Sequence, residues 1–116
     1  MTRAAFTAIV PLVPAGADLA KDVAFYRDAL GFAVVWESGD MACLSRDGIA
    51  LNLVRNDERL WADNASFAIA VTGLDALYAE YRGAPARVGP LETKPWGRRE
   101  FHMILPSGVC LQFHEA

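Results

Sequence analysis

The sequence predicts an α+β fold built from two tandem βαβββ modules, and two observations lead to this prediction. First, segments 46–53 and 106–113 share a turn that ends in glycine, three alternating apolar residues and an amide side chain, Asn52 or Gln112, four positions after the glycine. Second, each segment is preceded by a strand end, a loop and an amphipathic helix in the same order. A duplication with a period near half the chain length therefore sets the architecture.

Composition indicates one folded domain over residues 1–116. Apolar residues make up 53% of the chain and charged residues 22%, which is unlike a disordered protein. The net charge of −3 argues against nucleic acid as a partner, since nucleic-acid-binding surfaces need clustered Lys and Arg. The apolar runs are too short to span a membrane and the N-terminus lacks a signal-peptide pattern, so we expect a cytoplasmic protein with no membrane partner. Cys43 and Cys110 lack metal-site spacing and are interpreted as small apolar residues.

The first module is predicted over about residues 5–55. Its first strand is expected at Phe6–Val13, where Pro11 cannot donate a backbone hydrogen bond and so marks an edge, a bulge or a hinge. Asp18 is a suitable N-cap for the helix that follows, and Gly31 is suited to ending it. Three further strands are predicted, at Phe32–Glu37, Met41–Ser45 and Ile49–Val54.

A polar linker over residues 56–64 holds Trp61 and separates the second module, predicted over about residues 65–115. This module is expected to contain a strand, a helix and a short strand, at Ser66–Val71, Leu74–Arg82 and Pro85–Leu91. It closes with a β-hairpin around the turn at residues 106–108, because apolar and polar residues alternate on both sides of that turn. One face of the hairpin is therefore apolar, and the other carries Glu100, His102, Cys110, Gln112 and His114.

Two local motifs resemble a known superfamily. The segment Phe25-Tyr26-Arg27-Asp28-Ala29-Leu30-Gly31-Phe32 is similar to the helix-to-strand signature of the glyoxalase/bleomycin-resistance/dioxygenase (vicinal oxygen chelate) superfamily. Pro95-Trp96-Gly97, followed by Arg99-Glu100-Phe101, resembles the bleomycin-binding resistance proteins within it. The resemblance extends over the whole chain and implies a vicinal-oxygen-chelate fold in which each module forms an open half-barrel. It also implies a homodimer whose first strand is often exchanged between subunits, with Pro11 at the position of the hinge.

Enzymes that the chain resembles place four metal ligands, which are His, Glu or Gln, on equivalent strands of the two modules. The corresponding positions here are occupied by Ala8, Asn52, Ser66 and Gln112. Gln112 alone is of a type that those enzymes use, and divalent transition metals prefer imidazole, carboxylate or thiolate ligands. We therefore expect no catalytic residues, no metal and no other cofactor, so the interpretation leans away from an enzyme.

Two chemical alternatives have weaker support. His102, predicted opposite Gln112, and His114 could rebuild a site for a divalent metal, although a histidine on a strand is more often a hydrogen-bonded polar residue. Glu100 and Glu115 could form an acid/base pair, although charges at strand ends are more often ion-paired or solvated. The sequence contains no Gly-rich phosphate loop and no nucleophile elbow.

Binding without chemistry fits the sequence better. A cup lined by aromatic, thioether and amide groups can hold a flat, partly polar molecule through stacking and a few hydrogen bonds. The candidate ligand-binding residues are Trp36, Met41, Asn52, Trp61, Ser66, Trp96, His102 and Gln112. We interpret the chain as a homodimeric, non-catalytic protein of the bleomycin-resistance type that sequesters an antibiotic-like small molecule in a cup at the dimer interface.

The chain departs from the bleomycin binders at several positions. It has Ala68 and Ala70 where they carry aromatic residues on the fifth strand, and Met41 where they carry Phe. These departures favour a ligand other than bleomycin itself. The alternative functions are a metal-dependent lyase, dioxygenase or thiol transferase on the same fold, and an interaction module whose cup is filled by its own side chains.

Overall fold

The computed structural model describes residues 2–116, and its first module is a four-stranded sheet covered by one long helix. The elements of this module are β1 (Leu12–Pro14), α1 (Leu19–Asp28), β2 (Ala33–Ser38), β3 (Met41–Arg46) and β4 (Ile49–Val54). The strand order is β1-β4-β3-β2, with β1 parallel to β4 and the other pairs antiparallel. A short helix, α2 (Arg59–Asp63), leads to the second module.

The second module repeats this arrangement. Its elements are β5 (Ser66–Val71), α3 (Leu74–Tyr81), β6 (Arg87–Val88), β7 (Glu92–Thr93), β8 (Arg99–Ile104) and β9 (Cys110–Glu115). The strand order is β5-β9-β8-β6, with β5 parallel to β9, and β7 also pairs with β8. In both modules the first strand lies beside the last one and the sheet stays open. The predicted α+β fold of two βαβββ modules with open half-barrels is thus confirmed.

The ends of α1 follow the predicted capping residues. The carboxylate of Asp18 accepts a hydrogen bond from the backbone N–H of Lys21 at 3.3 Å, which satisfies one of the unpaired donors of the first turn. After the helix, Gly31 has a φ of +78°, a conformation that costs little only for glycine. The buried side of the helix, including Val23 and Tyr26, packs on the core face of the first sheet.

The core continues from one module into the other. In the second module, the rings of Phe101 and Phe113 are stacked with centroids 5.0 Å apart, and Tyr81 contacts Phe113 edge-on. The Tyr81 hydroxyl donates to the backbone carbonyl of Leu30 in the first module at 2.6 Å. Arg46 strengthens this junction, because its guanidinium donates to the same carbonyl at 2.7 Å and to the Tyr81 hydroxyl at 2.8 Å.

The first strand differs most from the prediction. Instead of running over Phe6–Val13, it pairs with β4 only from Leu12 to Pro14, and residues 2–10 are exposed. Pro11 lacks an N–H and has a fixed φ, so regular pairing ends at this residue. The equivalent strand, β5, pairs with β9 along all six of its residues, so the first module has only part of the pairing found in the second.

Two smaller differences have local causes. The predicted linker contains α2, which is supported by an ion pair between Arg59 and Asp63 one turn apart. The predicted strand Pro85–Leu91 is shortened to β6, since Pro90 cannot donate to a ladder, and β7 begins only after its predicted end. Within residues 2–116, no helix is long and apolar enough to cross a membrane.

Candidate ligand-binding site

Each sheet has one face on the core and one face turned away from it, which we call its open face. On the second sheet, Phe101, Met103, Leu111 and Phe113 are buried on the core side. The residues that alternate with these four form the open face, because side chains of a strand point to opposite sides in turn. Together with those of β5, they are Ser66, Ala68, Ala70, Glu100, His102, Ile104, Cys110, Gln112 and His114.

Three of the predicted site residues meet in the middle of this open face. Gln112 lies opposite His102 of β8, as predicted, and on its other side opposite Ala68 of β5. Its side-chain N–H donates to the hydroxyl oxygen of Ser66 at 2.7 Å, which leaves the amide oxygen available as an acceptor. Ser66, Gln112 and His102 therefore form a polar strip, and the small Ala68 leaves space above it.

Beside this strip lies Glu100, whose carboxylate is completely buried. One carboxylate oxygen accepts from the indole N–H of Trp96 at 2.7 Å and from the Arg98 guanidinium at 3.1 Å. The other oxygen lies 2.5 Å from Nε2 of His102. Burial by itself raises the pKa of Glu100, but the hydrogen bonds from His102, Trp96 and Arg98 together lower that pKa to about 2.

The protonation of His102 follows from this arrangement. An ionised carboxylate can only accept hydrogen bonds, so Nε2 of His102 must carry the proton that points to Glu100. Glu100 itself is a weak base, because its pKa is low and both of its oxygens are occupied. Its two oxygens thus connect three neighbouring side chains, Trp96, Arg98 and His102.

Trp96 reaches this carboxylate from a tight turn between β7 and β8. The turn is closed by a hydrogen bond from the N–H of Gly97 to the carbonyl of Lys94 at 2.8 Å, and Gly97 has a φ of +90°. The indole N–H donates to Glu100, yet Trp96 as a whole residue remains 63% exposed to solvent. The ring is therefore tethered at one edge while it remains accessible to solvent.

The open face of the first sheet carries a second group of predicted residues. Trp36 of β2 lies opposite Cys43 of β3, which lies opposite Asn52 of β4. Met41 lies two residues from Cys43 on the same face. Trp36 is 42% exposed, whereas the side-chain oxygen of Asn52 is buried without a hydrogen-bond partner. This face thus combines an indole, a thioether, a thiol and an amide.

The predicted residues therefore form two groups, one on each module. Trp61 belongs to neither sheet, because it lies on α2, where it is 40% exposed. Among the hydrogen bonds of residues 2–116, none joins a predicted site residue of the first sheet to one of the second. Two cavities at the junction of the modules, of about 500 and 340 Å³, are lined by other residues.

Three contributors were not predicted from the sequence as site residues: Cys43, Arg98 and Glu100. A signal for two of them was present, because Arg98, Glu100 and His102 alternate and so project from the same side of the strand. A basic residue on either side of a carboxylate, with Trp96 nearby, favours a bound carboxylate over a solvated one. The suggested acid/base pair is wrong, since Glu115 projects from the opposite face and is ion-paired with Arg99 at 3.1 Å.

The positions equivalent to the metal ligands of enzymes fit a divalent metal poorly. Asn52 and Gln112 occupy matching places, because they pair with Leu12 and Ala68 in the same parallel arrangement. Continued two residues beyond its last pair at Leu12, this register would make Val10, rather than Ala8, the counterpart of Ser66. The donor set is then an alkyl group, a hydroxyl and two amides, which lacks the imidazole, carboxylate and thiolate groups preferred by transition metals. Within residues 2–116, no three His, Cys, Asp or Glu side chains, His114 included, lie close enough together to hold a metal ion.

The fold and these open faces define a class of proteins. The chain belongs to the Glyoxalase/Bleomycin resistance protein/Dioxygenase superfamily, whose family model matches residues 9–113. Among curated proteins, it is 26% identical over 125 residues to the bleomycin resistance protein of Geobacillus stearothermophilus, with 91% of this chain and 94% of that protein covered. A bleomycin resistance protein of Staphylococcus aureus matches to the same extent.

The chain is also similar to bleomycin-binding proteins of known structure. The chain is 32% identical to the bleomycin-binding protein from bleomycin-producing Streptomyces verticillus, whose structure is complexed with copper(II)-bleomycin. The two superpose with a TM-score of 0.88 over 98% of this chain and 99% of the other. The bleomycin resistance determinant encoded on the transposon Tn5 shares the fold, with a TM-score of 0.83, 21% identity, and 95% and 98% of the chains covered.

Proposed function

We propose that this chain is a non-catalytic binding protein of the bleomycin-resistance type, which holds a planar, antibiotic-like molecule and releases it unchanged. The observation that carries this proposal is the 32% identity, over nearly the whole chain, to a protein complexed with copper(II)-bleomycin. The two open faces support it, because each combines an exposed indole with amide or imidazole hydrogen-bonding groups. Stacking on aromatic rings and a few directed hydrogen bonds are the usual means of holding a flat, partly polar ligand.

We further propose that the binding cup forms between two copies of the chain. Trp36 and Met41 lie on one module, and Trp96, His102 and Gln112 lie on the other, so one copy offers two separate half-sites. The open sheet edge formed by β2 carries exposed Val34, Val35 and Trp36. Such an edge is protected when a second molecule covers it. A two-fold dimer would place the first module of one copy over the second module of the other.

The N-terminal segment supports the same arrangement. Residues 6–10, which we call the arm, have the sequence Phe-Thr-Ala-Ile-Val, and Phe6 and Ile9 are almost entirely exposed. The backbone of Ile49–Leu51 in β4 lies beside the arm. Within residues 2–116 it is not paired with β1, because β1 begins only at Leu12, opposite Asn52. A groove of about 340 Å³ runs between these residues and β5, with Phe67 and Ile69 in its wall. We propose that the arm of a second copy lies along this edge, with Pro11 as the hinge.

Titration of the purified protein with metal-free bleomycin, in buffer containing a chelator, tests the proposed function. We expect tryptophan emission to change on binding, the compound to be recovered chemically intact, and the protein to contain no stoichiometric Zn, Fe, Mn or Ni. Binding should persist in the chelator, because the donor set described above does not fit a transition metal.

Two results would contradict the proposal. One is a chelator-sensitive turnover abolished by Gln112→Ala, which would show a metal-dependent enzyme on this fold. The other is an absence of any change in emission or melting temperature both with bleomycin at millimolar concentration and with other planar, partly polar antibiotics at the same concentration. Leu60→Ala provides a matched control, since Leu60 is an exposed apolar residue on α2 outside both open faces.

A further inference from the structure

Trp96 combines high exposure with a fixed orientation. An exposed tryptophan normally samples several rotamers, but the indole N–H here donates to Glu100 at 2.7 Å. The backbone supports this geometry, because the turn around Trp96 is also closed by a hydrogen bond from the N–H of Lys94 to the carbonyl of Arg98 at 3.0 Å. One edge of the ring is thus held by a hydrogen bond, and most of its surface is left for contact with another molecule.

The carboxylate that holds the ring is itself held firmly. Glu100 is fully buried, and its neighbours on the same face of the strand, Arg98 and His102, donate to it from both sides. Burying an ionised carboxylate is costly unless it is hydrogen-bonded, and here three donors satisfy it. A group of this kind is a rigid acceptor, because any movement would break several charge-assisted hydrogen bonds.

We propose that Glu100 is a positioning residue for ligand binding, which fixes the Trp96 indole in the orientation that stacks on the ligand. This inference rests on the proposed binding function. Glu100 acts through Trp96 and does not touch the ligand. A ring that is ordered before binding loses less conformational entropy when the ligand arrives, so affinity rises without any additional contact.

Glu100→Met tests the proposal, with Glu100→Gln as its matched control. Methionine has a similar size but cannot accept the indole hydrogen bond, whereas glutamine retains a carbonyl oxygen that can. Arg98 and His102 are both partly exposed, so water can satisfy them when the carboxylate is removed. Freeing one rotamer-rich side chain should weaken the affinity for metal-free bleomycin about 3- to 10-fold. Glu100→Gln should recover most of that loss.

The mobility of the ring provides a measurement that needs no ligand. Substituting Trp36→Phe and Trp61→Phe leaves Trp96 as the only tryptophan, since the chain contains three. The time-resolved anisotropy of Trp96 should then show a faster local motion in Glu100→Met than in the protein with Glu100, and a slow motion again in Glu100→Gln. Unchanged ring motion in Glu100→Met would overturn the proposal, whatever the affinity does.

A double-mutant cycle, measured by calorimetry without the two Trp→Phe substitutions, tests whether the effect passes through Trp96. In a Trp96→Ala background, Glu100→Met should cause no further loss of affinity, and a persistent loss would overturn the proposal.

Should Glu100→Met fail to fold, Trp96→Phe replaces it, because phenylalanine keeps an aromatic ring without the N–H. Trp96→Phe should then lose about 3- to 10-fold in affinity, as expected for Glu100→Met, and native affinity would refute the inference. If the native protein binds neither bleomycin nor the other planar antibiotics, the proposed function fails, while the anisotropy measurement still decides whether Glu100 orders the ring.

Discussion

At the scale of single residues, the two proposed half-sites differ in how their aromatic groups are held. Trp96 is tethered through its N–H to a buried carboxylate, whereas Trp36 belongs to an edge strand whose six residues are all exposed in the single chain. The register of that strand shifts between Val34 and Trp36, which marks a bulge. Bulges are frequent at sheet edges and next to binding sites, where they re-aim a side chain.

We predict that removing an aromatic ring weakens ligand binding more than removing a neutral hydrogen bond. Trp36→Ala should cost about 1–3 kcal/mol of binding free energy, because a stacked ring contributes a large contact area. Gln112→Ala should cost about 1 kcal/mol, the contribution of a single neutral hydrogen bond. Calorimetric titration of both variants with bleomycin measures this order, and a reversed order would favour polar recognition over stacking.

The buried carboxylate gives a prediction about acid stability. A carboxyl group whose pKa is lower in the folded state stabilises that state above its unfolded pKa, here 4.5, and the stabilisation is lost as the pH falls toward about 2. The free energy of unfolding of the native protein should therefore fall more steeply below pH 4.5 than that of Glu100→Gln. Urea unfolding at several pH values measures both slopes. Glu92→Gln, an exposed change on a neighbouring strand, is the control, and parallel slopes for native protein and Glu100→Gln would contradict the prediction.

At the scale of secondary-structure elements, the final hairpin depends on the contact between its turn and α2. Gly108 has a φ of +104°, and a Cβ atom there would lie only 2.4 Å from a carboxylate oxygen of Asp63 on α2. Arg59 of the same helix contacts the carbonyl of Pro106 in the turn. The short helix α2, which was not predicted from the sequence, thus packs against the turn at residues 106–108, which was predicted.

Gly108→Ala should therefore destabilise the protein through both backbone strain and a steric clash. We expect a loss of about 1–3 kcal/mol in the free energy of unfolding. Gly39→Ala is a control with a positive φ and no atom within 4 Å of the new Cβ, so it reports strain alone and should cost less. Asp63→Ala combined with Gly108→Ala should remove the additional cost. Equal losses for Gly108→Ala and Gly39→Ala, measured by thermal or urea unfolding, would show that the contact with α2 has no steric effect.

Sequence patterns predicted most elements but only part of the candidate site. The strands Ile49–Val54 and Ser66–Val71 occur at the predicted boundaries because their alternation is regular and turns limit them. The first strand was predicted too long, since its apolar residues have strand-like composition but no partner within one chain. The composition of a segment indicates that it can form a strand. It does not indicate whether the strand that it pairs with lies in the same molecule.

The site was harder to predict than the fold for a related reason. The contact between Glu100 and Trp96 depends on a turn that brings Trp96 back over the strand, and spacing alone does not reveal such a turn. The pairing of His102 with Gln112 was predicted correctly, because register in a hairpin follows from the position of its turn. The relation of Trp36 to Trp96 is not set by local sequence at all, since the two residues lie on different modules.

At the scale of the whole molecule, the two modules are joined in a way that leaves their open faces free. Arg46 of β3 forms an ion pair with Glu80 of α3 at 2.8 Å, and the Tyr81 hydroxyl binds Leu30 across the junction. Burial raises the pKa of Tyr81 to about 12, so this hydroxyl remains a donor at physiological pH. A fixed angle between the modules is what a second copy of the chain would need in order to match both open faces at once.

The last prediction concerns the dimer itself. Light scattering at micromolar concentration should give twice the chain mass of 12.6 kDa, because the exposed arm and the uncovered edge of β4 complement each other between copies. Deleting residues 2–9 should weaken the dimer, since it removes Phe6 and Ile9 from the arm. Arg3→Ala, an exposed change outside the arm, should leave the mass unchanged. A native mass of 12.6 kDa would contradict the dimer, whereas an undiminished dimer after the deletion would show that the copies associate without exchanging their arms.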